Sequence, residues 1–175
     1  IADAFTLNAA RAYRPDAAFP PGLAQVIIEI DGQPASVRSE ARALRELLTA
    51  SGALGIASAT TPEGCAKIWG LRRVYSQSLK ATGLKKLNED IVVPRGRLVD
   101  LIDFAAKLQK RSGFPIACFG HAGDGNIHVN IMVADPEEPS VQKKSRAVLD
   151  ELFAQVLAWN GLSLIHISEP TRLRR

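Results

Sequence analysis

Two stretches of β-forming residues, Phe114 to Gly120 and Ile127 to Val133, flank the segment His-Ala-Gly-Asp-Gly-Asn at 121–126. An Asp-Gly pair between alternating apolar residues is a strong hairpin signal. The segment therefore commits the chain to a tightly turned antiparallel pair. With the turn centred on Asp124-Gly125, Gly123 faces Asn126, Ala122 faces Ile127 and His121 faces His128. Directly opposed residues share one sheet face, with Cβ atoms about 4.5–5.5 Å apart. Strand alternation then puts Phe119 and Asn130 on the histidine face and Cys118 on the other.

The rest of the chain alternates strand and helix signals. Ala24 to Ile30 is rich in β-branched residues and stops at Asp31-Gly32. From Pro34 to Ala50, Val37, Ala41, Leu44 and Leu48 keep helical spacing, with Gly52 placed to end the helix. A short strand is expected at Leu54 to Ala59. Thr61-Pro62-Glu63 then opens a helix running to about Lys80, with a hydroxyl cap, a first-turn proline and an acid. Leu84 to Val93 reads as a strand ended by Pro94. Leu98, Leu101, Ile102, Ala105 and Leu108 mark a helix face closed by Gly113, and a last helix runs from about Ser140 to Trp159. The order β-α-β-α-β-α-β-β-α implies an α+β fold, with helices on one face of a mainly antiparallel sheet. A chain of 175 residues with 46% hydrophobic and 23% charged residues is one domain with its own core, which excludes a disordered tail, a collagenous repeat and a coiled coil. No apolar run approaches the roughly 20 residues of a membrane helix. No signal peptide is visible at Ile1, and the missing initiator Met places the true N-terminus upstream. Cys65 and Cys118 read as free thiols in a reducing, cytoplasmic compartment.

His121 and His128 are the two histidines of residues 1–161. Two imidazoles at cross-strand distance can converge on a divalent ion at about 2.0–2.1 Å per nitrogen, but a stable site needs further ligands. The bland alternative is a pair of half-buried histidines capping a hairpin. Two other classes stay open: a metal-dependent hydrolase, which would need a fuller ligand set, and a non-catalytic ferredoxin-like binding module.

The segment Phe119-Gly-His-Ala-Gly-Asp-Gly-Asn-Ile-His-Val-Asn130 resembles the hallmark of FAD-linked oxidases of 2-hydroxy acids, the glycolate oxidase D-subunit, D-lactate dehydrogenase and D-2-hydroxyglutarate dehydrogenase group. Glu89-Asp90-Ile-Val-Val-Pro94-Arg-Gly-Arg-Leu98, Ile28-Glu-Ile-Asp-Gly32 and Trp69-Gly-Leu-Arg72 are similar to further parts of that family. The resemblance implies that residues 1–161 are the ferredoxin-like, substrate-binding cap of a larger flavoprotein, incomplete at both ends. It implies FAD and a divalent metal (zinc, manganese or iron) as cofactors. It further implies a small 2-hydroxy acid as substrate, a missing FAD-binding domain of the same protein, and partner oxidase subunits. His121 and His128 would hold the metal. Arg72 would bind the substrate carboxylate through two parallel hydrogen bonds, its alternative being a solvated arginine beside Arg73. Ser76, one turn further on the same helix face, Lys86 and Asn130 are the other substrate candidates. The family's Glu-His segment, which completes the metal site and supplies a base, is not found, so no catalytic residue is assigned and the fragment is expected to be inactive alone. No phosphate loop follows a strand, so tight FAD binding by this chain alone is not expected.

Residues 162–175 depart from the family. Their start, LSLIHISEPTR, resembles a translated transposase sequencing adapter and is expected to lack packed structure; a short strand from Leu162 to Ile167 is the alternative. Arg172, Arg174 and Arg175 against Glu169 account for half of the net charge of +4. The basic balance is therefore weak support for a nucleic-acid partner, and none is expected.

Overall fold

The computed structural model describes residues 1–163. Its helices are α1 (Ala4–Tyr13), α2 (Pro34–Ala50), α3 (Pro62–Arg73), α4 (Tyr75–Ala81), α5 (Leu98–Ser112) and α6 (Pro139–Ala158). Its strands are β1 (Lys85–Val92), β2 (Ile116–His121), β3 (Asn126–Val133) and β4 (Leu162–Ser163). The sheet order is β2-β3-β1-β4, with every pair antiparallel. From β1 onward the chain runs β-α-β-β-α-β. The α+β class and the antiparallel sheet are as expected from sequence. None of the described helices is long and apolar enough to cross a membrane.

Strand alternation sorts the sheet into two packed faces. On one, Leu101, Ala105 and Leu108 of α5 and Val148, Leu152 and Val156 of α6 cover Ile91, Ile116, Cys118, Ile127, Val129 and Ile131. On the other, Leu7 and Ala10 of α1 and Tyr75 and Leu79 of α4 cover Ala117, Phe119 and Met132. Helices on one face thus describes α5 and α6, while α1 and α4 add a layer across part of the opposite face. Helix α1 has no counterpart in the sequence reading. Its start is fixed by Asp3, whose carboxylate accepts from Thr6 N at 2.9 Å and from Cys118 N at 2.8 Å, tying the helix to β2.

Several expected elements differ. Residues 24–30 form no strand; Gln25 alone makes an isolated bridge, to Ala2, which also bridges Phe119. Val26 and Ile28 stay half-exposed, so β propensity without a partner strand produces only an extended segment. Residues 54–59 likewise form no strand, and Leu54 is 76% exposed. The helix expected from 61 to about 80 divides at Val74 into α3 and α4. Its start is as expected: Thr61 caps through Gly64 N at 3.2 Å, with Pro62 and Glu63 in the first turn. Beyond the break, Ser78 Oγ donates back to Tyr75 O at 2.8 Å, and α4 buries Tyr75 and Leu79 where α3 buries nothing. Leu162 and Ser163 pair with Val92 and Ile91, and Ser163 is buried. The expectation that packed structure is absent from residue 162 is therefore corrected for those two residues; residues 164–175 lie outside the described residues.

Gly125 is the tightest point of the hairpin. It lies at φ 72°, and a Cβ there would stand 2.1 Å from Val93 O. The same backbone approach carries the Val93 N to Gly125 O hydrogen bond of 3.0 Å. Gly125→Ala is expected to cost at least about 2 kcal/mol, from left-handed strain plus displacement of Val93. Gly123→Ala, which meets nothing within 4 Å, is the control and should stay within about 0.5 kcal/mol. Urea denaturation of the two variants beside the parent checks this.

Candidate functional site

The face of the sheet that carries the histidines is set by register. β1 aligns with β3 so that Lys86 faces Met132, Asn88 faces Asn130 and Asp90 faces His128. β2 aligns with β3 so that Phe119 faces His128 and His121 faces Asn126. The two histidines therefore share a face, as expected, but they are diagonal neighbours and not directly opposed. The correction has a local cause. A two-residue type I′ turn needs φ > 0 at both Asp124 and Gly125, and among the described non-glycine residues only Asn160 has positive φ. Residues 122–124 instead form a 3-10 turn closed by Gly125 N to Ala122 O at 3.2 Å, with Gly125 left-handed. The loop is two residues longer than expected, and the register moves with it.

His128 is held from two sides. Its Nδ1 is hydrogen-bonded to Asp90 Oδ1, and its ring lies 5.3 Å from that of Phe119. Asn88 Nδ2 donates to the same Asp90 oxygen at 3.3 Å. The motif around Asp90 shows no role for it by itself; the alternation of β1 against β3 is the signal that finds it. Asn130 is fully buried on the expected face. Its Nδ2 donates to Ala117 O at 3.2 Å and His128 O at 3.3 Å, while its Oδ1 has no hydrogen-bond partner among the described residues. Cys118 sits in the opposite core as expected, and burial pushes its thiol well above the ordinary range.

Arg72 reaches this face from the last turn of α3. Its Cζ lies 4.8 Å from the Phe119 ring centroid and 5.5 Å from that of Tyr75. Among the described residues it makes no ion pair. Burial lowers its pKa, as expected for a cation losing water without gaining an anion. Ser76 and Lys86 are brought to each other, with Lys86 Nζ donating to Ser76 Oγ at 2.9 Å. Lys86 lies four positions before Asp90 on β1, roughly 13 Å of strand, so this pair stands at the far end of the face. Beside Arg72 opens a cleft of about 420 Å³, lined by Gln25, Trp69, Tyr75 and the turn at His121 to Asp124, among others. Trp69 Nε1 donates to Glu29 Oε2 at 3.0 Å at its rim. Neither Tyr75 nor Gln25 is legible as a site residue from sequence, since their places depend on the break at Val74 and on the Ala2 bridge.

Tyr75 OH donates to Gln25 Oε1, and burial raises its pKa from 10.0 to about 12. A phenol with a raised folded pKa stabilises fully below the unfolded value and loses that contribution as pH rises through the folded one. Stability is therefore expected to fall between pH of about 10 and 12, by on the order of 2 kcal/mol. Tyr75→Phe should flatten that segment of a pH–stability profile.

The described residues hold no group of three His, Cys, Asp or Glu side chains placed for a metal ion. His121 and His128 supply two imidazoles on one face, one with its Nδ1 already engaged. That donor chemistry is compatible with part of a metal site, and two ligands alone do not make a stable one.

Arg72, with no ion pair among the described residues, thus packs on Phe119, a residue of the sheet face that carries His121 and His128, in an α+β domain. The chain belongs to the family of FAD linked oxidases, C-terminal domain, whose model matches residues 1–164. It is 26% identical over 117 residues to a D-lactate dehydrogenase of Anaerostipes hadrus, covering 67% of this chain and 25% of that protein. It is 23% identical over 138 residues to the glycolate oxidase subunit GlcD of Bacillus subtilis, covering 79% and 29%. It is 28% identical over 139 residues to the mitochondrial D-2-hydroxyglutarate dehydrogenase of Rattus norvegicus, covering 78% and 24%. The chain thus spans 24–29% of the length of these relatives.

Proposed function

We propose that this chain is the substrate-binding, ferredoxin-like cap of a flavin-dependent oxidoreductase that oxidises a small 2-hydroxy acid of the glycolate or D-lactate type to the 2-oxo acid. The observation that carries the reading is Arg72, a partly buried guanidinium with no ion pair among the described residues, stacked on Phe119 across the strand pair from His128. Family membership and the names of the relatives favour it over a hydrolase or a binding module. The β-α-β-β-α-β connectivity supports the ferredoxin-like description.

Arg72 would take the substrate carboxylate in its planar fork, replacing water it has already partly lost. The Phe119 and Tyr75 rings both contact the guanidinium and would help to position it for the bound acid. His121 and His128 would hold a divalent ion together with donors from the rest of the protein, and such an ion acidifies a bound hydroxyl. Oxidation removes a hydride from the α-carbon and a proton from the hydroxyl; FAD, bound chiefly by the rest of the protein, supplies the redox chemistry. Lys86 and Ser76, bonded to each other, would be further substrate contacts at the far end of the face, and Asn130 would border the site from beneath. The compartment proposed is a reducing, cytoplasmic one, from the two free cysteines.

The test is a flavin absorbance spectrum and metal analysis of the full-length protein, followed by anaerobic addition of glycolate or D-lactate. Bound flavin that bleaches, with stoichiometric metal, supports the reading. Metal without flavin supports a hydrolase, and neither supports a binding module. The 175-residue chain alone should leave gel filtration without stoichiometric flavin.

A further inference from the structure

We propose that Asp90 is the positioning residue of this site: its carboxylate accepts the Nδ1 proton of His128, fixes one ring tautomer and leaves Nε2 as the ring's free lone pair. Three observations carry this. Asp90 and His128 are directly opposed across the β1–β3 ladder, so backbone pairing alone brings the two side chains onto one face at contact distance. The hydrogen bond between Asp90 Oδ1 and His128 Nδ1 is formed. Asn88, two residues back on the same face, donates to that oxygen at 3.3 Å, so the carboxylate is itself held.

The physical consequence lies in the ring. A neutral imidazole has one N–H and one lone pair, and the partner of one nitrogen decides which is which. With Nδ1 donating to Asp90, only Nε2 can accept a proton or a metal. Phe119, 5.3 Å away on the other neighbouring strand, packs the second side of the ring. Strand β1 therefore aims the imidazole through Asp90, and β2 walls it in through Phe119. His121 has no such carboxylate opposite it: its cross-strand partner is Asn126, and the two histidines are not equivalent. This deepens the reading of His128 as a metal ligand and rests on it for the role of Nε2, because carboxylates that orient ligating histidines typically strengthen metal binding by about 10–100-fold. The tautomer itself does not depend on that reading.

The test uses the full chain, labelled with ¹⁵N, in long-range ¹H–¹⁵N correlation spectra of the histidine rings. His128 is expected as the Nδ1–H tautomer in the parent and in Asp90→Asn, whose amide oxygen still accepts the proton. Asp90→Ala should move the ring toward Nε2–H or a mixture. Zinc titration of the full-length protein and its Asp90→Ala variant should show affinity about 10–100-fold weaker in the variant. Loss of the tautomer with unchanged zinc affinity would keep Asp90 as the positioning residue and overturn the metal role of His128. An Nε2–H ring in the parent, or an unchanged ring in Asp90→Ala, overturns the proposal. Should Asp90→Ala fail to fold, the parent spectrum alone decides.

Discussion

His128→Ala in the flavin-bound, full-length protein is expected to lower turnover by roughly 100-fold or more and to strip bound metal, while flavin stays bound. A metal's stabilisation of developing charge is worth several kcal/mol, and the substrate hydroxyl loses its acidifying partner. His121→Ala should act in the same direction. The diagonal placement and the missing carboxylate partner make it the smaller loss, since only His128 is oriented by both Asp90 and Phe119. Metal affinity should fall in acid, because protons compete for the imidazole lone pairs. Cys118→Ser is the control. Its side chain lies in the core under α5 and α6, on the opposite face from both rings, so its cost should be confined to stability. Metal analysis and turnover on matched flavin content separate these outcomes. Full turnover in both histidine variants would reduce the motif to a turn with two structural histidines.

The sequence made the face legible but not its register. Alternation along two strands puts His121, Phe119, His128 and Asn130 on one side wherever the cross-strand pairing shifts by an even number of residues. The register itself depends on Gly125, whose carbonyl bonds Val93 N and whose missing Cβ lets the end of β1 close over the turn. That contact joins residues more than thirty apart in sequence, and no local turn rule contains it. Asp90 was hidden for the same reason, because its value appears only when β1 is laid against β3. Helix α2 shows the reverse case. Its limits were readable from Pro34 and the apolar spacing, yet none of its residues is buried. The strands expected near 24–30 and 54–59 did not form, because β propensity is realised only where a neighbouring strand takes up the hydrogen bonds. Where local signal and long-range packing agreed, as in α5 ending at Gly113 with φ 73°, the boundary was readable to the residue.

Arg72 should show the other large effect. Arg72→Leu in the same holoprotein is expected to reduce kcat/KM for a 2-hydroxy acid by about 10²–10⁴-fold, the loss of two hydrogen bonds to a charged group at about 1.5–3 kcal/mol each. Most of that loss should appear in KM, because the carboxylate is bound alike before and during oxidation. Arg72→Lys tests what the guanidinium adds to charge. An ammonium keeps the attraction but lacks the planar fork and stacks less well on Phe119 and Tyr75, so it should recover only part of the binding. The competing account is that Arg72 is a packing residue, held by its ring contacts alone. Those contacts are worth about 0.5–2 kcal/mol and belong to the folded state with or without substrate. A packing arginine would therefore lower the urea midpoint in Arg72→Leu and leave KM where it was. A substrate arginine would move KM far more than the midpoint, and the lysine variant would lie between. Stopped-flow measurement of flavin reduction against substrate concentration, with urea melts of the same three proteins, tells the two apart.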